Sequence, residues 1–144
     1  MLDIHEKDCL KTWDIKGPVR KFFEKASKGY LFQTDHTSKW THPLEQRGNR
    51  RKELGLVQPY VVLQAKILNK LNFHFEVLLS DANRNRRRIV FYGAQPYNYE
   101  KDNIYRESFH ARVPCGYIVE GIWMNLQFDV QSFAEKCFGD FKFQ

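Results

Sequence analysis

Apolar and polar residues alternate most clearly in the middle of the chain. Phe73, Phe75, Val77 and Leu79 take turns with His74, Glu76, Leu78 and Ser80, the period of two that a half-buried strand requires. Tyr60 to Ile67, β-branched and apolar, predicts a strand before it. Ser80 to Asn85 supplies turn residues, and Arg86 to Tyr92 resumes an extended pattern. Phe73 to Tyr92 therefore predicts a β-hairpin with about four to six loop residues, carrying Arg84, Arg86, Arg87 and Arg88 near its tip. Two further strands follow. Phe109, Ala111 and Val113 alternate with His110 and Arg112 up to a break at Pro114-Cys115-Gly116. Met124, Leu126, Phe128 and Val130 oppose Asn125, Gln127 and Asp129, the cleanest alternation in the chain.

Elsewhere the pattern changes. Residues 1–12 are charged and without a sustained period, an irregular lead-in, and Trp13 is the first core anchor. After a Gly17-Pro18 turn, Val19, Phe22, Phe23 and Ala26 fit about two helical turns ending near Gly29, and Tyr30 to Thr34 reads as a short strand. His36 to Lys52 is polar and predicts an exposed loop, interrupted by a strand around Trp40. Gly93 to Glu107, with Tyr97, Tyr99 and Tyr105, predicts a long surface loop. Ser132-Phe133-Ala134-Glu135 has capping-box spacing, so a short helix is expected there, with Phe133 and Cys137 on one face and a left-handed Gly139 ending it. The sum is a mainly antiparallel β-sandwich with one or two short helices, one domain over residues 1–144.

Composition narrows the class. Hydrophobic content of 42% and aromatic content of 15% favour a folded globule over a disordered tail. No apolar run reaches the roughly 18 residues of a membrane span, and the opening residues are too charged for a signal peptide. The expected setting is the cytoplasm. Cys9, Cys115 and Cys137 are odd in number and lack close pairing, which predicts reduced thiols. The net charge of +6 is uneven: residues 1–52 hold 12 Lys and Arg against 7 Asp and Glu, and residues 101–144 hold 5 against 6. Such a field favours an acidic partner, either nucleic acid or an acidic protein surface.

Catalytic and metal-binding constellations are not legible. His5 and Cys9 have helical spacing, but a closed zinc site needs about four ligands and His36 and His42 do not complete one. Cys115 has no nearby basic residue and reads as a small buried side chain. Glu76, Asp81, Asp129 and Glu135 are scattered, and no phosphate-cradling glycine loop or nucleophile elbow is found. The expectation is a protein with no catalytic residue, no cofactor and no metal. Candidate contact residues are Arg84, Arg86, Arg87 and Arg88, whose guanidinium forks suit carboxylates or phosphates; the plain alternative is a solvated turn with charged edge positions. Alternation puts Arg87 on the face opposite Arg86 and Arg88, so at least one of the four serves internal packing. Arg50, Arg51 and Lys52 form a second basic group, and Tyr97 and Tyr99 offer apolar area with a polar tip. Trp123, Phe73, Phe75 and Phe128 are read as core.

The segments Leu54-Gly55-Leu56, Pro59-Tyr60-Val61-Val62-Leu63, Phe73 to Asp81, Arg86-Arg87-Arg88 and Trp123-Met124-Asn125-Leu126 running to Phe138-Gly139 resemble the cilia- and flagella-associated protein 20 family. Trp13 to Gly17, Val19, Lys21, Phe23, Lys25 and Gly29-Tyr30-Leu31-Phe32 are similar too, with a closer likeness to the divergent domain-containing members. Relative to the family, an opening apolar segment and the last strands are missing, so the sandwich is expected to be incomplete at both ends, with Phe138, Phe141 and Phe143 exposed. The resemblance implies a compact sandwich and a non-enzymatic structural role in the axoneme or basal body. Partners would be tubulin of the doublet microtubule and neighbouring junction proteins, with no membrane contact. The alternative is a nuclear or nucleic-acid-binding regulatory module using the same arginines on phosphate.

Overall fold

The computed structural model describes residues 10, 13–26, 28–42, 57–93 and 103–141. Two compact units divide the chain, residues 1–56 and residues 57–144.

In the first unit, β1 (Asp14–Lys16) pairs antiparallel with β4 (Lys39–Thr41), and β2 (Val19–Glu24) with β3 (Gly29–Thr34). The expected helix over Val19 to Ala26 is a strand. The spacing of Val19, Phe22, Phe23 and Ala26 fits a helix by coincidence, and pairing decided the outcome: Lys21 lies opposite Phe32 and Phe23 opposite Tyr30. The Lys21 ammonium stands 4.1 Å from the Tyr30 ring centre, and Phe23 meets Tyr30 edge-on. Gly29 opens β3 instead of ending a helix. Trp13, expected as the first core anchor, is half-buried in an aromatic cluster apart from the buried core, edge-on to Trp40 and His42. Gly17, at φ +92°, makes the turn between β1 and β2 and lies so close to Ser38 that a Cβ would meet its Cα at 2.8 Å.

The second unit contains β5 (Tyr60–Lys66), a 3-10 turn at Lys70–Asn72, β6 (His74–Ser80), β7 (Arg86–Gly93), β8 (Tyr105–Arg106), β9 (His110–Cys115), β10 (Trp123–Asp129) and α1 (Val130–Cys137). Strands β5 and β10 form one antiparallel sheet; the other runs in the order β6-β7-β9-β8. Their inner faces meet as a small sandwich. Phe128 of β10 lies 4.9 Å from Phe75 of β6 and 4.5 Å from Phe91 of β7, ring centre to ring centre. Ile89, Ala111, Val113 and Leu126 complete the buried layer, each at the core-facing parity that alternation predicts.

Several expectations are corrected here. The β7–β9 pair is parallel, because the chain crosses over between them instead of turning back directly. Strand β9 does not break before Pro114 but continues to Cys115. Arg88 donates its amide to the Phe109 carbonyl, and Glu107 donates to that of His110 on the other side, so odd residues of β9 face β7. Pro114 thus turns its nitrogen away from β7, toward an edge that two-residue β8 does not reach, and no ladder bond is lost. Trp123 shares the parity of Asn125 and Gln127 and is 48% exposed, not core.

Helix α1 starts at Val130, before the expected cap. Asp129 is the N-cap: its carboxylate accepts from the Ser132 amide at 3.0 Å and from the Ser132 hydroxyl at 2.7 Å. Glu135 accepts from Gln131 one turn earlier and does not reach back to the cap. Phe133 and Cys137 pack against the core as the spacing predicts. Gly139 is not left-handed; the Phe138 amide closes the helix on the Ala134 carbonyl. Phe138 and Phe141 are buried, 4% and 6% exposed, against the expectation of an open end; Phe143 lies outside the described residues. Cys115 and Cys137 are buried and form no disulfide. No described helix is long and apolar enough to cross a membrane.

Candidate functional site

The predicted hairpin is formed by β6 and β7 with Asp81 to Asn85 between them. Asp81 organises the turn. Its Oδ1 accepts from the amides of Asn83 (2.9 Å) and Asn85 (2.8 Å), and its Oδ2 accepts from the Asn85 side chain at 3.1 Å. Arg84 donates its amide to the Asp81 carbonyl at 2.8 Å and takes the left-handed conformation, φ +63°.

The four arginines separate into two kinds. Arg87, 4% exposed, points inward. Its Nη2 donates to Asp140 Oδ2 at 2.8 Å and lies 4.0 Å from Asp81 Oδ2, while Nη1 donates to the Ser108 carbonyl at 2.6 Å. The guanidinium carbon is 4.8 Å from the Phe109 ring centre and 5.5 Å from that of Phe138. Arg87 ties the hairpin to the β8–β9 connection and to the turn after α1, so it is withdrawn from the contact group as a buried structural residue. Arg84, Arg86 and Arg88 remain exposed. Arg88 stands 4.0 Å from Glu76, with both side chains about half exposed, a weak surface pair.

Burial pushes the Asp81 carboxyl pKa upward, but the donors of Asn85 and Asn83 and the Arg87 charge outweigh it and hold the group below the ordinary carboxylate range. A depressed folded-state value stabilises the fold above the unfolded-state pKa. That contribution is lost as pH falls below about 4 and through the folded value. Asp129, lowered by the Ser132 amide and hydroxyl, acts in the same direction. The thermal midpoint is expected to fall steeply below pH 4, and Asp81→Asn to flatten part of that fall; an unchanged slope in a pH series of melting curves would contradict the assignment.

Arg50, Arg51, Lys52, Tyr97 and Tyr99 lie outside the described residues. Tyr105 lies in β8, exposed, with its hydroxyl donating to Glu107. The structure adds residues that sequence pattern did not single out. Arg112 of β9 joins the solvent face that carries Arg86 and Arg88, with its guanidinium 5.0 Å from the Tyr92 ring centre. Asp140 completes the Arg87 network. Neither had a signal in sequence, since one needs the register of a parallel pair and the other a contact across 53 positions. Among the described residues, no three His, Cys, Asp or Glu side chains come together to hold a metal.

The second unit is thus a small β-rich body with a pinned hairpin and exposed arginines on one sheet face. The family model described as the CFA20 domain matches residues 1–144, and the chain belongs to that family. The family name associates it with cilia and flagella.

Proposed function

We propose that the chain is a non-catalytic structural component of cilia and flagella that binds the doublet microtubule or its neighbouring axonemal proteins, in an inner-junction type of role, and supports axoneme stability and motility. The observation that carries this reading is the division of labour among the arginines of the β6–β7 hairpin. Arg87 is buried and fixes the hairpin, which leaves Arg84, Arg86 and Arg88 exposed on a rigid support where they can meet an acidic protein surface. Family membership supports the compartment, and the cytoskeleton of the cilium or basal body is the proposed location.

Charge reversal tests it. A chain carrying R84E, R86E and R88E, tagged and expressed in ciliated cells, is expected to leave extracted axonemes at lower salt than the wild type. Its thermal midpoint should stay near the wild-type value, because exposed substitutions cost within about 0.5 kcal/mol each. Unchanged retention of the folded variant would remove these residues from the contact.

A further inference from the structure

Three cations reach the solvent face of the four-stranded sheet from two separate segments, Arg86 and Arg88 from β7 and Arg112 from β9. In the parallel ladder Arg88 lies beside His110 and Val90 beside Arg112, so Arg112 stands one pleat further along than Arg88. Alternate strand residues are about 6.7 Å apart and neighbouring strands about 4.8 Å, which puts the backbone of Arg88 roughly 7 Å from that of Arg86 and roughly 8 Å from that of Arg112, with Arg86 and Arg112 roughly 14 Å apart. The Tyr92 ring lies under the Arg112 guanidinium and restricts it before any partner arrives. Apolar ground lies between the charges: Leu78, opposite Arg88 on β6, is 59% exposed, and Val90 is half-buried beside Arg112. Acidic groups are interleaved with them. Glu76, opposite Val90, stands 4.0 Å from Arg88 on the diagonal, and Glu107 at the rim accepts from Tyr105 and stands 4.0 Å from His110.

We propose that this face docks an acidic, extended segment of a protein partner, with carboxylates on the guanidinium forks of Arg88 and Arg112 and apolar side chains on Leu78 and Val90. The inference rests on the proposed structural role and gives its contact a surface and a chemistry. The sign of the charge selects a carboxylate or phosphate ligand. The exposed aliphatic ground of Leu78 and Val90 favours a peptide, whose apolar side chains it can take up, over a nucleic-acid backbone, which carries none.

The test uses the purified full chain and a labelled synthetic peptide that alternates glutamate with leucine and serine. Matched probes are the same peptide with glutamine for glutamate and a single-stranded RNA. The wild type is expected to bind the glutamate peptide in preference to both, and Arg112→Gln to weaken that binding about tenfold. Lys66→Glu, which reverses a charge on the solvent face of the β5–β10 sheet, should change it by no more than about twofold. Peptide-induced amide shifts in the unmodified chain should centre on Leu78, Arg88, Val90 and Arg112, a readout that does not depend on any variant folding. The proposal is overturned if the wild type ignores the peptide, if RNA binds more tightly, if the two variants weaken binding equally, or if the shifts centre elsewhere. A chain retained on axonemes that ignores the peptide refutes the docking face and leaves the structural role standing.

Discussion

Replacing Gly93 with alanine is expected to destabilise the second unit by at least about 3 kcal/mol. Gly93 ends β7 with its amide donating to the Phe73 carbonyl at 3.0 Å. A Cβ there would sit 1.6 Å from the Lys70 carbonyl oxygen and 2.4 Å from its carbon. Those atoms are backbone, part of the 3-10 turn at Lys70–Asn72, and the same oxygen accepts the Phe73 amide. The turn is held at its start, where Asn69 caps it through the Leu71 amide and Glu120 accepts the Lys70 amide at 2.7 Å. No side-chain rotation can relieve the overlap, so either the turn or the end of β7 must move. Denaturant unfolding of Gly93→Ala, or its failure to accumulate as a folded protein, checks this; wild-type stability would mean that the turn and the strand do not meet as described.

The second large effect falls on Arg87. Arg87→Ala is expected to cost about 3 kcal/mol, whereas Arg88→Ala, one position along the strand, costs within about 0.5 kcal/mol. The difference follows from burial. Arg87 supplies two short hydrogen bonds and fills the space between Phe109 and Phe138, while Arg88 meets Glu76 through solvent at 4.0 Å. Removing Arg87 leaves the buried Asp81 carboxylate without its cation and the Ser108 carbonyl without its donor. Paired melting curves decide it: equal losses for the two variants would overturn the division of the arginines into structural and contact groups. Binding should show the reverse order, with Arg88→Ala weakening partner contact while the fold is kept.

Long alternating runs were legible in the sequence. The hairpin from Phe73 to Tyr92, the strand from Trp123 to Asp129 and the placing of Arg87 on the face opposite Arg86 and Arg88 all follow from a sustained period of two. Short runs were not. Val19 to Ala26 matched helical spacing by coincidence, and cross-strand aromatic pairing made it a strand. The start of α1 was misplaced because Ser132 and Glu135 mimic a capping box, whereas the carboxylate of Asp129 is the group that reaches the free amide. Phe138 and Phe141 were expected to be exposed, yet the turn after α1 folds back so that both are buried. Trp123 was assigned to the core on residue type, although its own alternation with Met124 placed it outside. On the candidate surface, Arg84, Arg86 and Arg88 were identifiable from composition and turn chemistry. Arg112 was not, since only the parallel register of β7 and β9 brings it to them.

The central claim is a structural role at the axoneme, and localisation of the endogenously tagged chain in a ciliated cell, followed by detergent and salt extraction of the axonemes, tests it most directly. The account predicts signal along the axoneme or basal body that survives detergent and is released only by added salt, as an arginine-mediated contact on an acidic protein surface requires. Diffuse or nuclear signal, or complete loss on detergent treatment alone, would contradict it.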